Sequence, residues 1–154
     1  MIQNIRSFFR NTMRPETEAA EAASASNERL HVAACALLLE LAHADDEFSD
    51  SERHHVEAVV RRHLALDEDT AQRLIDLADE ERRAAIDLFQ FTSLIRDSYD
   101  LGQKTLLAEI MWGVVLADGR IERHESYLLR KIANLLDLKP GYLAEARKRV
   151  SGDD

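Results

Sequence analysis

The chain has 154 residues, 45% of them hydrophobic, with only 5 Gly, 2 Pro and 1 Cys. That length suits one domain with a core of its own, and a Gly- and Pro-poor composition rich in Ala, Leu, Glu and Arg favours helices over sheet. A net charge of −9 excludes nucleic acid as a main partner, because phosphate binding needs a basic face. No apolar run reaches the roughly 20 residues of a membrane-spanning helix, and no secretory signal peptide is present.

Residues 1–15, MIQNIRSFFRNTMRP, differ from the rest. Ile2, Ile5, Phe9 and Met13 share a helical face with Phe8 beside them, and Arg6, Arg10 and Arg14 are the segment's only charges. This leaves 17 cations against 29 acids, −12, on the remainder. Two readings stand for residues 1–14. A basic amphipathic helix can lie on an anionic membrane surface or dock on a partner, or the segment folds back on its own domain. Residues 16–27, ETEAAEAASASN, are small, polar and acidic, and read as a flexible tether to a helical domain at 28–150.

In that domain the first helix spans about 28–43 and buries Leu30, Ala34, Leu37, Leu38 and Leu41. Cys35 lies inside this run, as a reduced core residue consistent with the cytoplasm. Ser49-Asp50-Ser51-Glu52 fits the capping box that opens a helix. That helix spans about 50–64 and buries Val56, Val59, Val60 and His63. Helices near 69–78, 80–89 and 92–99 follow. Residues 106–116 are apolar almost all round, with Leu107, Ile110, Met111, Val114 and Val115 on one face, as expected of a buried central helix. Asp118-Gly119 ends it, Gly119 being placed for the left-handed conformation that often closes helices. A helix with the stripe Leu128, Leu129, Ile132, Leu135 and Leu136 comes next, and Lys139-Pro140 opens the last one, through Val150.

One stretch of text occurs twice. Residues 44–52 read ADDEFSDSE and residues 117–125 read ADGRIERHE, offset by 73. Each has Ala-Asp, a residue tolerant of positive φ, an apolar residue (Phe48 or Ile121), and Glu seven places after the Asp; each joins a Leu-rich helix to an amphipathic one. The pattern predicts an all-α compact bundle of about seven helices, built from two duplicated helix–elbow–helix units about a pseudo-two-fold axis.

Asp45 and Asp118 fall at or just past helix C-termini, where the dipole disfavours an anion by roughly 0.3–1 kcal/mol. Two arrangements offset this. Each Asp could accept from the unpaired N–H groups of the following helix. Alternatively a cation is shared by Asp45 with Glu52 and by Asp118 with Glu125, supplemented by Asp46, Glu47, Asp50 or Glu122. Oxygen ligands of this kind suit Ca²⁺ or Mg²⁺, although an EF-hand carries its Glu further on, at the twelfth loop position. A third arrangement uses Glu40-x-x-His43 and Glu52-x-x-His55, since paired Glu-x-x-His motifs build di-metal sites in helical bundles. The second unit offers Gly113 and Leu116 instead, and the bland reading keeps His43, His54 and His55 as surface or rim residues.

The paired Ala-Asp-x-x-apolar-x-x-x-Glu elbows, with the Trp112-to-Leu116 helix running into Ala117-Asp118-Gly119, resemble the TerB tellurite-resistance family over residues 28–150. The resemblance extends to the similar N-terminal region of membrane-anchored J-domain co-chaperones. It implies a seven-helix fold with internal pseudosymmetry and a cytoplasmic role near the inner membrane, in stress responses to metal oxyanions or phage. It also implies a divalent-cation site at Asp45, Glu52, Asp118 and Glu125, with Asp46 standing where the motif favours Gly. The expectation is therefore a non-enzymatic module that binds a cation and engages a protein partner. An adaptor without metal and a helical-bundle di-metal enzyme are the alternatives.

Overall fold

The computed structural model describes the backbone of residues 18–44, 50–116 and 123–151, and the side chains of 28–44, 50–116 and 126–151. These residues form seven helices and no strand: α1 (Glu18–Ala42), α2 (Asp50–Leu64), α3 (Glu68–Ala84), α4 (Phe89–Ser98), α5 (Leu101–Leu116), α6 (Arg123–Leu135) and α7 (Pro140–Ser151). The predicted all-α bundle is the observed one. The basic segment 1–15, Ser49 of the expected capping box and both elbow aspartates lie outside the described residues.

Three boundaries differ from expectation. The first helix begins at Glu18, so residues 18–27 are helical where a tether was expected; Ala and Glu, which make up most of them, are strong helix formers. The two helices expected on either side of Asp79 are one, α3, which runs on to Ala84. Nothing near Asp79 breaks a helix, and Asp79 itself ties the turn to Arg82 (i,i+3) and Arg83 (i,i+4), both at 2.8 Å. The helix expected from Thr92 starts earlier, at Phe89.

Several ends are closed by specific chemistry. At α3 the Thr70 N–H donates to Asp67 Oδ1 at 2.7 Å. At α5 the bonds are reciprocal: Gln103 N–H donates to Asp100 Oδ1 at 2.8 Å, and Asp100 N–H donates to Gln103 Oε1 at 2.9 Å. This is a capping box built on Asp and Gln. Pro140 takes the first position of α7, as its fixed φ favours. The helices that follow the two elbows end alike. Ala65 (φ 54°) and Asp137 (φ 62°) both adopt the left-handed conformation, and the next residue donates five residues back, Leu66 N to Arg61 O at 3.1 Å and Leu138 N to Ala133 O at 2.9 Å. Each is a Schellman closure, with Leu66 and Leu138 turned onto the core.

The central helix is α1 rather than α5. From Val32 to Ala42 all but Ala34 and Glu40 are buried, and α1 packs against α2, α3, α4, α5 and α6. Ala33, Ala36 and Ala42 supply the small side chains that let neighbours approach on every side. In α5, Leu107, Ala108, Met111, Trp112 and Val115 are buried, but Leu106 is 44% exposed and Ile110, Val114 and Leu116 are only partly covered. Its apolar circumference therefore includes a surface flank. Val56, Val59 and Val60 of α2 are buried as expected, whereas His63 is exposed.

Candidate functional site

Of the four candidate ligands, the structure places two on helices. Glu52 lies half-buried in the first turn of α2, one turn before fully buried Val56. Glu125 lies in the first turn of α6, one turn before fully buried Leu129, and its side chain is outside the described residues. Glu52 thus heads the inward stripe of its helix. Asp45 and Asp118, with Asp46, Glu47 and Glu122, are outside the described residues.

Beside the first elbow, α1 is tied to α3 by an ion-pair network. Arg82 Nη1 donates to Glu40 Oε2 at 3.0 Å, while its Nε and Nη2 donate to Asp79 Oδ1 at 3.1 and 2.8 Å. The arginine side chain is only 14% exposed. Burial alone would lower its pKa, but the hydrogen bonds to Asp79 and Glu40 outweigh it and the pKa rises. Such a guanidinium stays charged and locks the two carboxylates in place. His43, one turn after Glu40, has its pKa lowered by burial first and by Arg82 second. It is neutral near pH 7.

This arrangement bears on the paired Glu-x-x-His motifs. Glu40 is committed to Arg82, and among the described residues no group of three or more His, Cys, Asp and Glu could hold a metal ion. Glu40, His43, Glu52 and His55 all have described side chains, so the two motifs do not converge. His54 is exposed and His55 half-buried, close to the bland reading.

Cys35 is a free thiol, 2% exposed, and burial pushes its pKa up to about 12. A thiol so far from ionising is a packing group and not a nucleophile. It lines an apolar hollow of about 190 Å³ between α1, α2 and α5, along with His31, His63, Tyr99 and Leu106. Burial lowers the His31 pKa and raises that of Tyr99.

Sequence reasoning missed the Arg82 clamp, because its partner Glu40 lies 42 residues away and no local period links them. It also missed the setting of the single Trp. Trp112 Nε1 donates to Leu143 O at 3.1 Å, tying α5 to α7. The Arg147 guanidinium lies over the ring, 5.2 Å from its centroid.

These features define a class: an all-α bundle on one central helix, with helical hairpins joined at acidic elbows. The family model described as "Tellurite resistance protein TerB" matches residues 31–148. The chain belongs to the TerB family. No curated protein and no solved structure matched it.

Proposed function

We propose that this chain is a non-enzymatic, TerB-type stress-response module that binds a divalent cation at its acidic elbows and engages a protein partner near the inner membrane. The observation that carries the reading is the pair of acidic elbows within the matched region: Asp45 with Glu52, and Asp118 with Glu125. Glu52 and Glu125 each sit in the first turn of the helix after an elbow. All-oxygen ligation of this kind favours Ca²⁺ or Mg²⁺. The second reading, an adaptor whose elbow carboxylates are only helix caps, has support of its own. Asp67 and Asp100 do cap helices in this chain.

One titration separates the two. Chelator-stripped protein is melted with Ca²⁺, Mg²⁺, Mn²⁺ and Zn²⁺ in turn, beside the double variant Asp45→Asn/Asp118→Asn. A ligand at about a hundred times its Kd adds about 2.7 kcal/mol to stability. The cation reading expects a saturable rise in Tm that the double variant loses. A flat response, with the variant merely less stable, leaves the carboxylates as caps and the protein as an adaptor.

A further inference from the structure

The C-terminal helical hairpin carries a surface unlike the rest of the molecule. Against a net charge of −9 for the whole chain, residues 130–151 hold six Lys and Arg and only two Asp and Glu, a net +4. Between α6 and α7 lies a groove of about 590 Å³, lined along its length by Trp112, Ala133, Leu138, Pro140, Leu143 and Ala144 and bordered by Arg130, Arg147 and Lys148. No carboxylate is among its lining residues.

Among the described residues these three cations make no ion pair, as is also true of Arg29, Arg61, Arg62, Arg73, Lys104, Lys131 and Lys139; what sets the three apart is that they converge on one apolar groove. Arg53, Arg82, Arg83, Arg96 and Arg149 each reach an Asp or Glu within the described residues. Arg149 makes the contrast sharp: two residues after Arg147, it holds Glu109 at 3.2 Å and Glu145 at 3.4 Å. Arg147 instead stacks on Trp112, whose buried ring is itself held by the bond to Leu143 O. A stacked guanidinium uses its face and keeps its in-plane N–H donors for a carboxylate, which it can take bidentately.

We propose that this groove docks an acidic peptide segment of a partner protein, one that carries an apolar or aromatic anchor between its carboxylates. The anchor lies on Leu138, Leu143 and Ala144, and the carboxylates meet Arg130, Arg147 and Lys148. Charge complementarity selects this occupant. The apolar floor suits a side chain where a bare anion gains nothing, and a concave groove cannot be filled by a flat bilayer. A nucleic acid would meet the −13 carried by the rest of the chain. The chain's own basic segment, with Arg6, Arg10 and Arg14, is repelled from the same place. The inference deepens the partner-engagement half of the reading above, and the elbows take no part in it.

Trp112 is the only Trp, so its emission reports the groove directly. The probe is a short capped peptide with acidic residues on either side of one Phe, titrated into the full chain at low salt. The expected result is a saturable change in Trp112 emission that weakens as salt shortens the screening length. Affinity should fall about tenfold or more in Arg130→Gln/Lys148→Gln, an exposed pair whose loss leaves the melt unchanged, and similarly for the peptide with Asn and Gln in place of its acids. Equal binding of the amide peptide would overturn the proposal, as would an equal response to a single-stranded oligonucleotide or to anionic vesicles. No response at all also overturns it. The cation titration at the elbows is a separate measurement. A silent groove beside a metal-dependent Tm therefore sinks this inference alone, and the converse sinks the cation site alone.

Discussion

His31 shows how one residue's surroundings become a property of the protein. It lies half-buried on α1 beside the apolar hollow, and burial holds its pKa below the ordinary 6.5. Burial with Arg82 does the same at His43, and partial desolvation with Arg62 does so at the otherwise exposed His63. The unfolded chain takes up these protons near pH 6.5, while the folded chain resists until a lower pH. Stability is therefore full above 6.5 and is lost as pH falls through the folded pKa values. Glu81 acts the other way, its pKa raised by burial above 4.5, so acidification relieves it. The Tm should fall between about pH 7 and about pH 5.5, and His31→Gln should flatten that slope. An unchanged slope in the variant would move the acid sensitivity elsewhere. Arg82 makes a related point, since a guanidinium holding Glu40 and Asp79 is worth far more than its place in a charged stretch of α3 suggests.

At the scale of the element, helix α1 carries the bundle. Leu37, Leu39 and Leu41 are almost fully buried within it, Leu37 and Leu41 on one side and Leu39 on the other, because partners surround it. Replacing Leu37 with Ala should cost about 2–5 kcal/mol, from lost transfer energy and the cavity left behind. Leu106→Ala in α5, where the side chain is 44% exposed, should cost well under half as much. Denaturant unfolding of the two variants measures both. Similar losses would return α5 to the central place that its apolar composition suggests. Most helix existence was legible from apolar spacing: α2, α5, α6 and α7 lie where their stripes put them. The ends were less so. Asp100-x-x-Gln103 is a capping box in plain text, recognisable by spacing alone. The Schellman turns at Ala65 and Asp137 place non-Gly residues at positive φ, against the residue preference by which such turns are found.

For the whole molecule the division of charge matters most. The acidic elbows, the basic C-terminal groove and the basic N-terminal segment stand apart along the chain, each suited to a different contact. No described helix is long and apolar enough to cross a membrane, and the membrane contact proposed above is a surface contact. Residues 1–14, with Arg6, Arg10 and Arg14 opposite Ile2, Ile5, Phe9 and Met13, are the segment suited to it. The protein should sediment with anionic vesicles at low salt, and removal of residues 1–14 should abolish this. Sedimentation that is absent, or unaffected by the truncation, would leave the segment to its own domain.

The sequence by itself determined the helical class, the elbow motif and the family, because each is written in local spacing: apolar residues at helical period, and Asp and Glu seven apart. Tertiary structure decided which helix is central, that Arg82 bridges α1 to α3, and that Arg147 lies over Trp112 on the floor of a basic groove. Those outcomes join residues 42 and 35 positions apart. Their partners are chosen by how helices pack against one another, which no local period records.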